Sequence, residues 1–255
     1  MISSKLQKNI IDRFSDKGRY FRGTYDERSL ASIEETRMRF PLHKNTTYAF
    51  YQPRPIQRYL LIADQFKKYF NGKILDVGSR DTTLEKVIGK PCSLVDKNNP
   101  NLPAFDWEKE PLPFADKSFD TIVCLDTLEH IEHLHESFHD LLRVSQNRVI
   151  ISLPNCWRKT LKEFLKARGT SASYGMPPEK PFDRHRWFFN TEDIENFLFY
   201  NAARGNFRVA AVRYHVPKTI FRHSIIYSLA RWFIPEHYFK SFLVHTVFVC
   251  LERKL

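Results

Sequence analysis

Four short apolar runs in the middle of the chain constrain its fold most strongly. They are KILDV at 73–77, SLVD at 93–96, FDTIVCL at 119–125 and NRVIISL at 147–153. Helix-like segments lie between them, near 82–88 and around 134–142. Strands that alternate with helices form βαβ units, and strands that are apolar throughout are typical of a parallel sheet covered on both faces. The sequence therefore predicts an α/β fold with helices on both faces of a mostly parallel sheet.

Further elements are predicted on both sides of this core. Residues 54–70 have the apolar spacing of an amphipathic helix, and residues 190–200 predict a second helix that Asn190 caps. FRVAAVR at 207–213 and LVHTVFVCL at 243–251 predict two closing strands. Between them, residues 218–235 carry an aromatic helical stripe with lysine and arginine beside it, which is typical of a helix that packs on its own domain or lies on a membrane surface.

Composition limits the class of protein. The chain has 255 residues, of which 42% are hydrophobic, enough for one α/β domain with an appendage. No apolar run approaches the ~18 residues that cross a bilayer, and the N-terminus lacks the apolar region of a secretory signal. The four cysteines form no C-x-x-C pair, which favours free thiols in a reducing compartment. We therefore expect a cytoplasmic protein, with peripheral contact at the inner membrane face through 218–235 as an option.

Charge is distributed unevenly along the sequence. Residues 71–155 carry a net charge of −5, whereas residues 1–70 carry +7 and residues 156–255 carry +9. Basic segments attract nucleic acid, anionic membranes and phosphorylated substrates, although a solvated basic surface has the same composition.

The turn after the first apolar run is the first candidate binding element. Asp76 and Gly78 end that run, and Asp96 ends the next one, where an acid can accept both hydroxyls of a ribose. Only one glycine of a G-x-G-x-x-G pattern is present, because Arg80 and Thr82 stand in the turn. A phosphate needs close approach of the backbone, so the turn favours a cofactor that carries no phosphate.

Further motifs follow in order: FDWE at 105–108, PLPF at 111–114, SFD at 118–120 and CLDTLEH at 124–130. With them, the chain from about Lys73 to Asn155 resembles the class I S-adenosylmethionine-dependent methyltransferases, in the subgroup with a D…LPF…SFD…LEH pattern. The resemblance implies a Rossmann-like, seven-stranded, mostly parallel sheet that ends in a C-terminal antiparallel hairpin. The methyltransferase domain would span 51–255, with an amphipathic insertion at 218–240, and residues 1–50 would form an N-terminal extension over the cofactor.

The resemblance also implies the residues that bind S-adenosyl-L-methionine. Asp76 and Gly78 match the motif beside the methionine part, Asp96 matches the ribose-binding acid, and Asp106 matches the acid near the adenine amino group. The predicted cofactor-binding residues are Asp76, Gly78, Ser79, Arg80, Asp96, Lys97, Asp106, Trp107, Cys124 and Leu125.

A hydroxyl acceptor requires a base, and His185, His130 and Asp126 are the predicted catalytic residues. His185 lies in DRHRWFF at 183–189, which together with SLPNCW at 152–157 is similar to bacterial methyltransferases of surface-glycan synthesis. The expected acceptor is therefore a sugar or glycolipid hydroxyl. An RNA methyltransferase and a non-catalytic binding protein with this fold are the alternatives, and oligomeric state is left open.

Two metal hypotheses concern the histidine-rich stretch at 128–139. His135 and His139 form an H-E-x-x-H pattern, but they flank the apolar face of a predicted crossover helix. No H-x-x-G-x-x-H extension follows, and a predicted strand and a Pro-Asn turn separate the pattern from Glu163, the candidate third ligand. The second set, Asp126, Glu129, His130 and His185, resembles the divalent-metal ligands of small-RNA 2′-O-methyltransferases, which have glutamate in place of Asp126. The sequence prediction is that no metal is bound, with this set as the alternative.

Overall fold

A computed structural model describes residues 27–49, 56–79, 81–97, 99, 101–102, 105–167, 173–181, 184–217 and 233–254. The predicted cofactor contact of Arg80 and residues 218–232 of the amphipathic segment lie outside these ranges, so both stay predictions. Within the described ranges, none of the helices combines the length and apolarity that crossing a bilayer requires.

Seven strands and eight helices are described, together with two 3-10 turns at Lys67–Tyr69 and Leu128–His130. The strands are β1 Thr46–Ala49, β2 Ile74–Val77, β3 Cys92–Val95, β4 Phe119–Leu125, β5 Ser145–Pro154, β6 Phe207–Pro217 and β7 Thr246–Arg253. The helices are α1 Glu27–Arg39, α2 Leu42–Asn45, α3 Ile56–Gln65, α4 Thr83–Ile88, α5 Leu134–Val144, α6 Cys156–Leu165, α7 Thr191–Arg204 and α8 Glu236–Leu243.

All seven strands form one sheet in the order β1-β6-β7-β5-β4-β2-β3. The pairs β2–β3, β2–β4, β4–β5 and β1–β6 are parallel, whereas β7 runs antiparallel to both β5 and β6. The predicted fold class is therefore confirmed, including the C-terminal antiparallel pair. Because β2, β3, β4 and β5 are parallel, their carboxyl ends meet at one edge of the sheet.

The seventh strand comes from a part of the chain where the sequence analysis placed none. The other six strands of the sheet match predicted apolar runs. Strand β1 at Thr46–Ala49 lies inside the segment predicted as an N-terminal extension, and it pairs with the outer edge of β6. The described residues between β3 and β4 contain no strand. A four-residue edge strand with the sequence TTYA has too little apolar pattern to be recognised before its partner is known.

Buried side chains cover both faces of the sheet. One face packs Leu75, Ile122 and Val149 into a large cluster with α5 and α7, and the other packs Ile74, Val123 and Ile150 against α3 and α4. This alternation of neighbouring residues between two faces is the pattern of strands that are buried on both sides.

A buried ion cluster attaches α1 to the rest of the fold. The carboxylate of Glu195 on α7 accepts from Arg37 of α1 at 2.7 Å, from Lys240 of α8 at 2.8 Å and from the hydroxyl of Tyr214 on β6 at 2.7 Å. Burial alone would raise the pKa of Glu195, but Lys240 and Arg37 hold it below its usual value. The charge is therefore compensated, and the cluster fixes three helices against the sheet.

Candidate active site

A cavity of about 960 Å³ opens at the edge where the parallel strands end. It is large enough for a cofactor and part of an acceptor, since ligand pockets occupy ~300–1,000 Å³. Its wall contains Gly78 after β2, Asp96 after β3, Asp126 after β4 and Asn155 after β5. The four βα connections of the parallel core thus converge on one site, as expected for an α/β sheet.

The turn after β2 depends on glycine. Gly78 adopts φ +76°, and a Cβ atom placed on it would lie 2.3 Å from Oγ1 of Thr127. Its backbone N–H donates to the carbonyl of Val95 at 2.8 Å, which ties the turn to the end of β3. Any side chain here would strain the backbone and collide with Thr127 in the loop after β4. Glycine therefore allows the turn and this loop to pack closely against each other.

Acidic residues dominate the part of the wall over β2 and β3, which we call the cofactor side. It is formed by Gly78, Asp81, Asp96, Lys97, Phe105, Asp106, Trp107 and Glu108. Lys97 donates to Asp106 at 2.9 Å, and this contact helps to keep the pKa of Asp106 below its usual value. Asp96 is 8% exposed at the carboxyl end of β3, the place from which a carboxylate reaches a ribose diol. These residues fit a nucleoside cofactor.

Two predicted cofactor residues lie beneath this wall. Asp76 is 1% exposed, and its Oδ2 has no hydrogen-bond partner among the described residues. Burial raises the pKa of Asp76 to about 7, with Asp81 and Asp96 adding to the increase, whereas Ser79 and Arg58 oppose it. The hydroxyl of Ser79 donates to the carbonyl of Asp81 at 2.7 Å. Both residues shape the turn from below.

Three other predicted cofactor residues are almost fully buried. Cys124 and Leu125 belong to the two core clusters on opposite faces of the sheet, so the wall at the end of β4 is made by Asp126 and Thr127 instead. Trp107 reaches the cavity but is 8% exposed, and its Nε1 donates to Asp140 of α5 at 3.2 Å. The indole is thus held by the core and offers only part of its surface to a ligand.

Asp126 lines the cavity at the end of β4, next to the cofactor side. Its backbone is left-handed, at φ +48°, and Ser152 donates to its Oδ1 at 2.6 Å. Nη1 of Arg58 lies 2.9 Å from its Oδ2. Arg58 comes from α3, and no sequence spacing links it to a residue 68 positions later. The contact holds the Asp126 carboxylate in place, and the sequence analysis missed it because only the fold brings the partners together.

Glu129, His130 and His185 form a cluster on the far wall. Their ligating atoms all lie within 4.8 Å of one another, and the His130 and His185 rings meet edge to face at 4.8 Å. Burial raises the pKa of Glu129 well above its usual value, and Asp126 adds to this. Burial, with the charges of Lys159 and His130, lowers the pKa of His185 to about 3. His185 is therefore neutral at physiological pH.

Cations surround this cluster, and we call this part of the wall the acceptor side. It is formed by Glu129, His130, Lys159, Ser173, Lys180, Pro181, Arg184, His185 and Arg186. The backbone N–H of Arg186 donates to the carbonyl of Glu129 at 2.8 Å, so the 184–186 segment is fixed beside the end of β4. All three predicted catalytic residues line the cavity, His130 and His185 on the acceptor side and Asp126 next to it at the end of β4. Lys159 and Lys180 were missed, because isolated lysines in a basic segment give no signal.

The histidines of the H-E-x-x-H pattern lie elsewhere. His135 and His139 are exposed on α5, and the His135 ring packs against Trp187 at 5.9 Å and Phe197 at 5.1 Å. They are surface residues of a crossover helix.

Part of the sequence matches a known protein family. Residues 93–152 match the family model described as "Methyltransferase domain". This stretch carries a methyltransferase signature. It runs from β3 to β5 and contains Asp96, Asp126 and His130. The prediction that the chain is a methyltransferase is thereby confirmed, and S-adenosylmethionine as its cofactor agrees with the match. No curated protein matches the chain.

Solved structures with overall similarity are distant in sequence. An S-adenosylmethionine-dependent methyltransferase from Archaeoglobus fulgidus is 15% identical, with a TM-score of 0.49, over 79% of this chain and 96% of that one. The magnesium protoporphyrin IX methyltransferase of Synechocystis, solved with bound SAH, is 10% identical, with a TM-score of 0.41, over 97% and 96%. The PH0226 protein of Pyrococcus horikoshii is 13% identical, with a TM-score of 0.44, over 86% and 99%.

Proposed function

We propose that the chain transfers the methyl group of S-adenosylmethionine to a hydroxyl of a negatively charged sugar, such as a phosphate-bearing glycan or glycolipid. One observation carries this proposal: the cavity at the strand ends has two chemically different sides. The cofactor side has four carboxylates and one lysine, whereas the acceptor side has four cations and one carboxyl. A nucleoside cofactor with a cationic sulfonium suits the first side, and an anionic acceptor suits the second.

S-adenosylmethionine, when bound, supplies a methyl group that its cationic sulfonium already activates. What the chain must add is alignment of the acceptor oxygen with the methyl carbon and a group that takes the hydroxyl proton. Asp96 and the Gly78 turn would hold the cofactor on one side. The wall of Asp126, His130 and His185 would face the acceptor hydroxyl on the other.

The proposal is tested with purified full-length chain in two steps. Calorimetry with S-adenosylmethionine measures cofactor binding, for which we expect a micromolar Kd. Transfer of labelled methyl is then measured for a neutral oligosaccharide, the same oligosaccharide carrying phosphate, and RNA. We expect methylation of the phosphorylated sugar only. Methylation of the neutral sugar to the same extent would contradict the assignment of the acceptor side.

RNA is a second candidate acceptor, because four cations line the acceptor side and both flanks of the sequence are basic. The two acceptors differ in their dependence on salt. An RNA that neutralises several phosphates loses affinity steeply, with a slope of about −0.7 per phosphate contact in a double-logarithmic plot for single strands. For a sugar with one phosphate, we expect the slope of affinity against salt to be about 1 or less in magnitude.

A further inference from the structure

An apolar surface on α6 is not used by the site described above. Trp157, Leu161 and Phe164 recur every three or four residues, so they share one side of the helix, and Leu165 lies beside them. That side faces solvent, since Phe164 is 69% exposed and Leu165 is 79% exposed. Single exposed apolar side chains are common in proteins, but a group of them on one side of a helix indicates a contact surface.

Helix α8 extends this surface. The ring centroid of Trp157 lies 6.1 Å from that of Phe242, and the Phe242 ring stacks on the exposed ring of Tyr238 at 6.3 Å. Aromatic rings therefore connect the two helices at the surface of the protein. We call the set of Trp157, Phe164, Leu165, Tyr238 and Phe242 the α6–α8 face.

Cations flank the α6–α8 face. Lys159 and Lys166 are exposed and lie seven residues apart, on a different side of α6 from the aromatic residues. Residues 156–167 carry four Lys/Arg and one glutamate, a net charge of +3. The acid in the first turn of α8, Glu236, lies 3.2 Å from Lys240 and is thereby partly neutralised. Aromatic residues on one side of a helix and lysines on another are typical of helices that lie in a membrane interface.

The same helix also lines the cavity. Asn155 caps α6 by accepting from the backbone N–H of Trp157 at 3.1 Å, and both Asn155 and Lys159 belong to the cavity wall. Lys159 donates to Ser173, another residue of the acceptor side, at 2.5 Å. Because α6 has ten residues, the whole α6 part of the face lies within about 15 Å of this wall along the helix. A molecular surface that binds the face is therefore held next to the acceptor side.

Charge discriminates between the possible partners of this face. A second copy of the chain would bring the lysines of one α6 towards those of the other in a two-fold interface, and like charges opposed in this way cost free energy. Residues 218–232 of the chain would also add like charge, since they carry three Lys/Arg and no acidic residue. A bilayer with anionic headgroups attracts the cations and accommodates aromatic side chains at its interface.

We propose that the α6–α8 face binds an anionic lipid bilayer, with Trp157, Phe164 and Leu165 inserted among the headgroups and the lysines of α6 against the lipid phosphates. The sequence placed its optional membrane contact in 218–235, whereas this face belongs to other helices. Bilayer binding does not depend on the proposed function, but its use rests on that function. The face would hold the cavity beside a glycolipid whose phosphate-bearing sugar enters the acceptor side.

The test measures co-sedimentation of the full-length chain with vesicles of phosphatidylcholine alone and with vesicles that also contain phosphatidylglycerol. We expect binding to the anionic vesicles to be at least about tenfold stronger. Phe164→Ser combined with Leu165→Ser keeps the net charge and should weaken that binding about 10–100-fold, because the inserted apolar area is lost. Ile56→Ser combined with Leu60→Ser is the matched control. It alters two exposed apolar residues of α3, which packs on the opposite face of the sheet from α7 and α8, and it should bind as the unaltered protein does.

Insertion is measured independently by fluorescence. Phospholipids brominated in their acyl chains quench tryptophan only at close range, and we expect them to quench Trp157 in anionic vesicles. The contribution of Trp157 is the part of the quenching that Trp157→Phe removes. If Trp157→Phe leaves the quenching unchanged, the inference is overturned, whatever the serine variants show.

Circular dichroism and thermal unfolding establish that each variant is folded. The inference is also overturned if the unaltered protein binds no anionic vesicles, binds neutral vesicles equally well, or loses binding equally in both double variants. Light scattering detects a dimer, and a dimer that only Phe164→Ser with Leu165→Ser dissociates, without vesicle binding, would assign the face to self-association instead. S-adenosylmethionine binding and methyl transfer to the soluble phosphorylated oligosaccharide should be unchanged in this variant, so failure of bilayer binding is distinguishable from failure of the proposed function.

Discussion

The cofactor side and the acceptor side of the cavity belong to the same sheet edge but are built differently. The cofactor side uses residues at or just after strand ends, Gly78 and Asp96, held by backbone contacts between β2 and β3. The acceptor side gathers residues from the end of β4, from α6 and from residues 173–181 and 184–186. Position along the strand thus determines the first side, whereas long-range packing determines the second. The predictions below alter one side at a time.

Gly78→Ala is expected to have the largest effect and to act on the cofactor side. The new Cβ would lie 2.3 Å from Thr127 Oγ1 at a φ of +76°. We expect a loss of about 2–4 kcal/mol in the free energy of unfolding and no detectable S-adenosylmethionine binding. Denaturant unfolding and calorimetry measure both. Adding Thr127→Ala should restore part of the stability by removing the collision, and no recovery would show that backbone strain alone is responsible.

Asp76→Asn examines the support beneath the cofactor side. The folded pKa of Asp76 is about 7, above its unfolded value of 3.8, so the folded state holds this proton more tightly. The stability of the unaltered protein should therefore fall as pH rises from about 4 to 7, relative to the variant, because ionisation is resisted by burial and by Asp81 and Asp96. At pH 8 the variant should be more stable by on the order of 2–4 kcal/mol. Thermal unfolding at pH 4.5 and pH 8 tests this, and a difference independent of pH would contradict the assignment.

Arg184→Gln alters the acceptor side alone. We expect S-adenosylmethionine to bind within about twofold of its normal affinity, while KM for a phosphate-bearing acceptor rises about tenfold, equivalent to one charge-assisted contact. Steady-state methyl transfer gives the KM. Arg204→Gln, on α7 and hydrogen-bonded to Tyr200, is the matched control because Arg204 is absent from the cavity wall. An equal rise in both variants would mean that a general loss of charge is responsible.

Arg58→Met is expected to have the smallest effect on stability. The ion pair with Asp126 is partly exposed, with 30% and 23% of the two side chains accessible, so its removal should cost about 1 kcal/mol in urea unfolding. We also expect turnover to fall by more than about fivefold, the factor that about 1 kcal/mol represents, because Asp126 loses one of the two contacts that hold its carboxylate in place. Unchanged turnover would remove Asp126 from the proposed mechanism.

The difference between the sides also explains what the sequence could predict. Apolar runs located β2 to β5 and their ends, so Asp76, Gly78 and Asp96 followed from position, whereas Asp126 came from the family resemblance. Cys124 and Leu125 were predicted next to the cofactor because they stand at the end of β4. Their side chains point to opposite faces of the sheet, and each belongs to the core cluster on its face.

Contacts on the acceptor side could not be predicted in the same way. Tyr174 meets His185, and Arg58 meets Asp126, only because separate elements pack together. Strand β1 was missed for the same reason. It is defined by its pairing with β6, and its own four residues carry too short a pattern to predict a strand. Sequence periodicity describes single elements, whereas these features are relations between elements.

The most direct test of the two-sided cavity is calorimetric titration of S-adenosylmethionine into Asp96→Ala and Glu129→Gln, beside the unaltered protein. Asp96→Ala should weaken binding about 10²–10⁴-fold, since two charge-assisted hydrogen bonds to the ribose are lost. Glu129→Gln should bind within about threefold of the unaltered protein. Equal loss in both variants, or tight binding by Asp96→Ala, would contradict the division of the cavity into a cofactor side and an acceptor side.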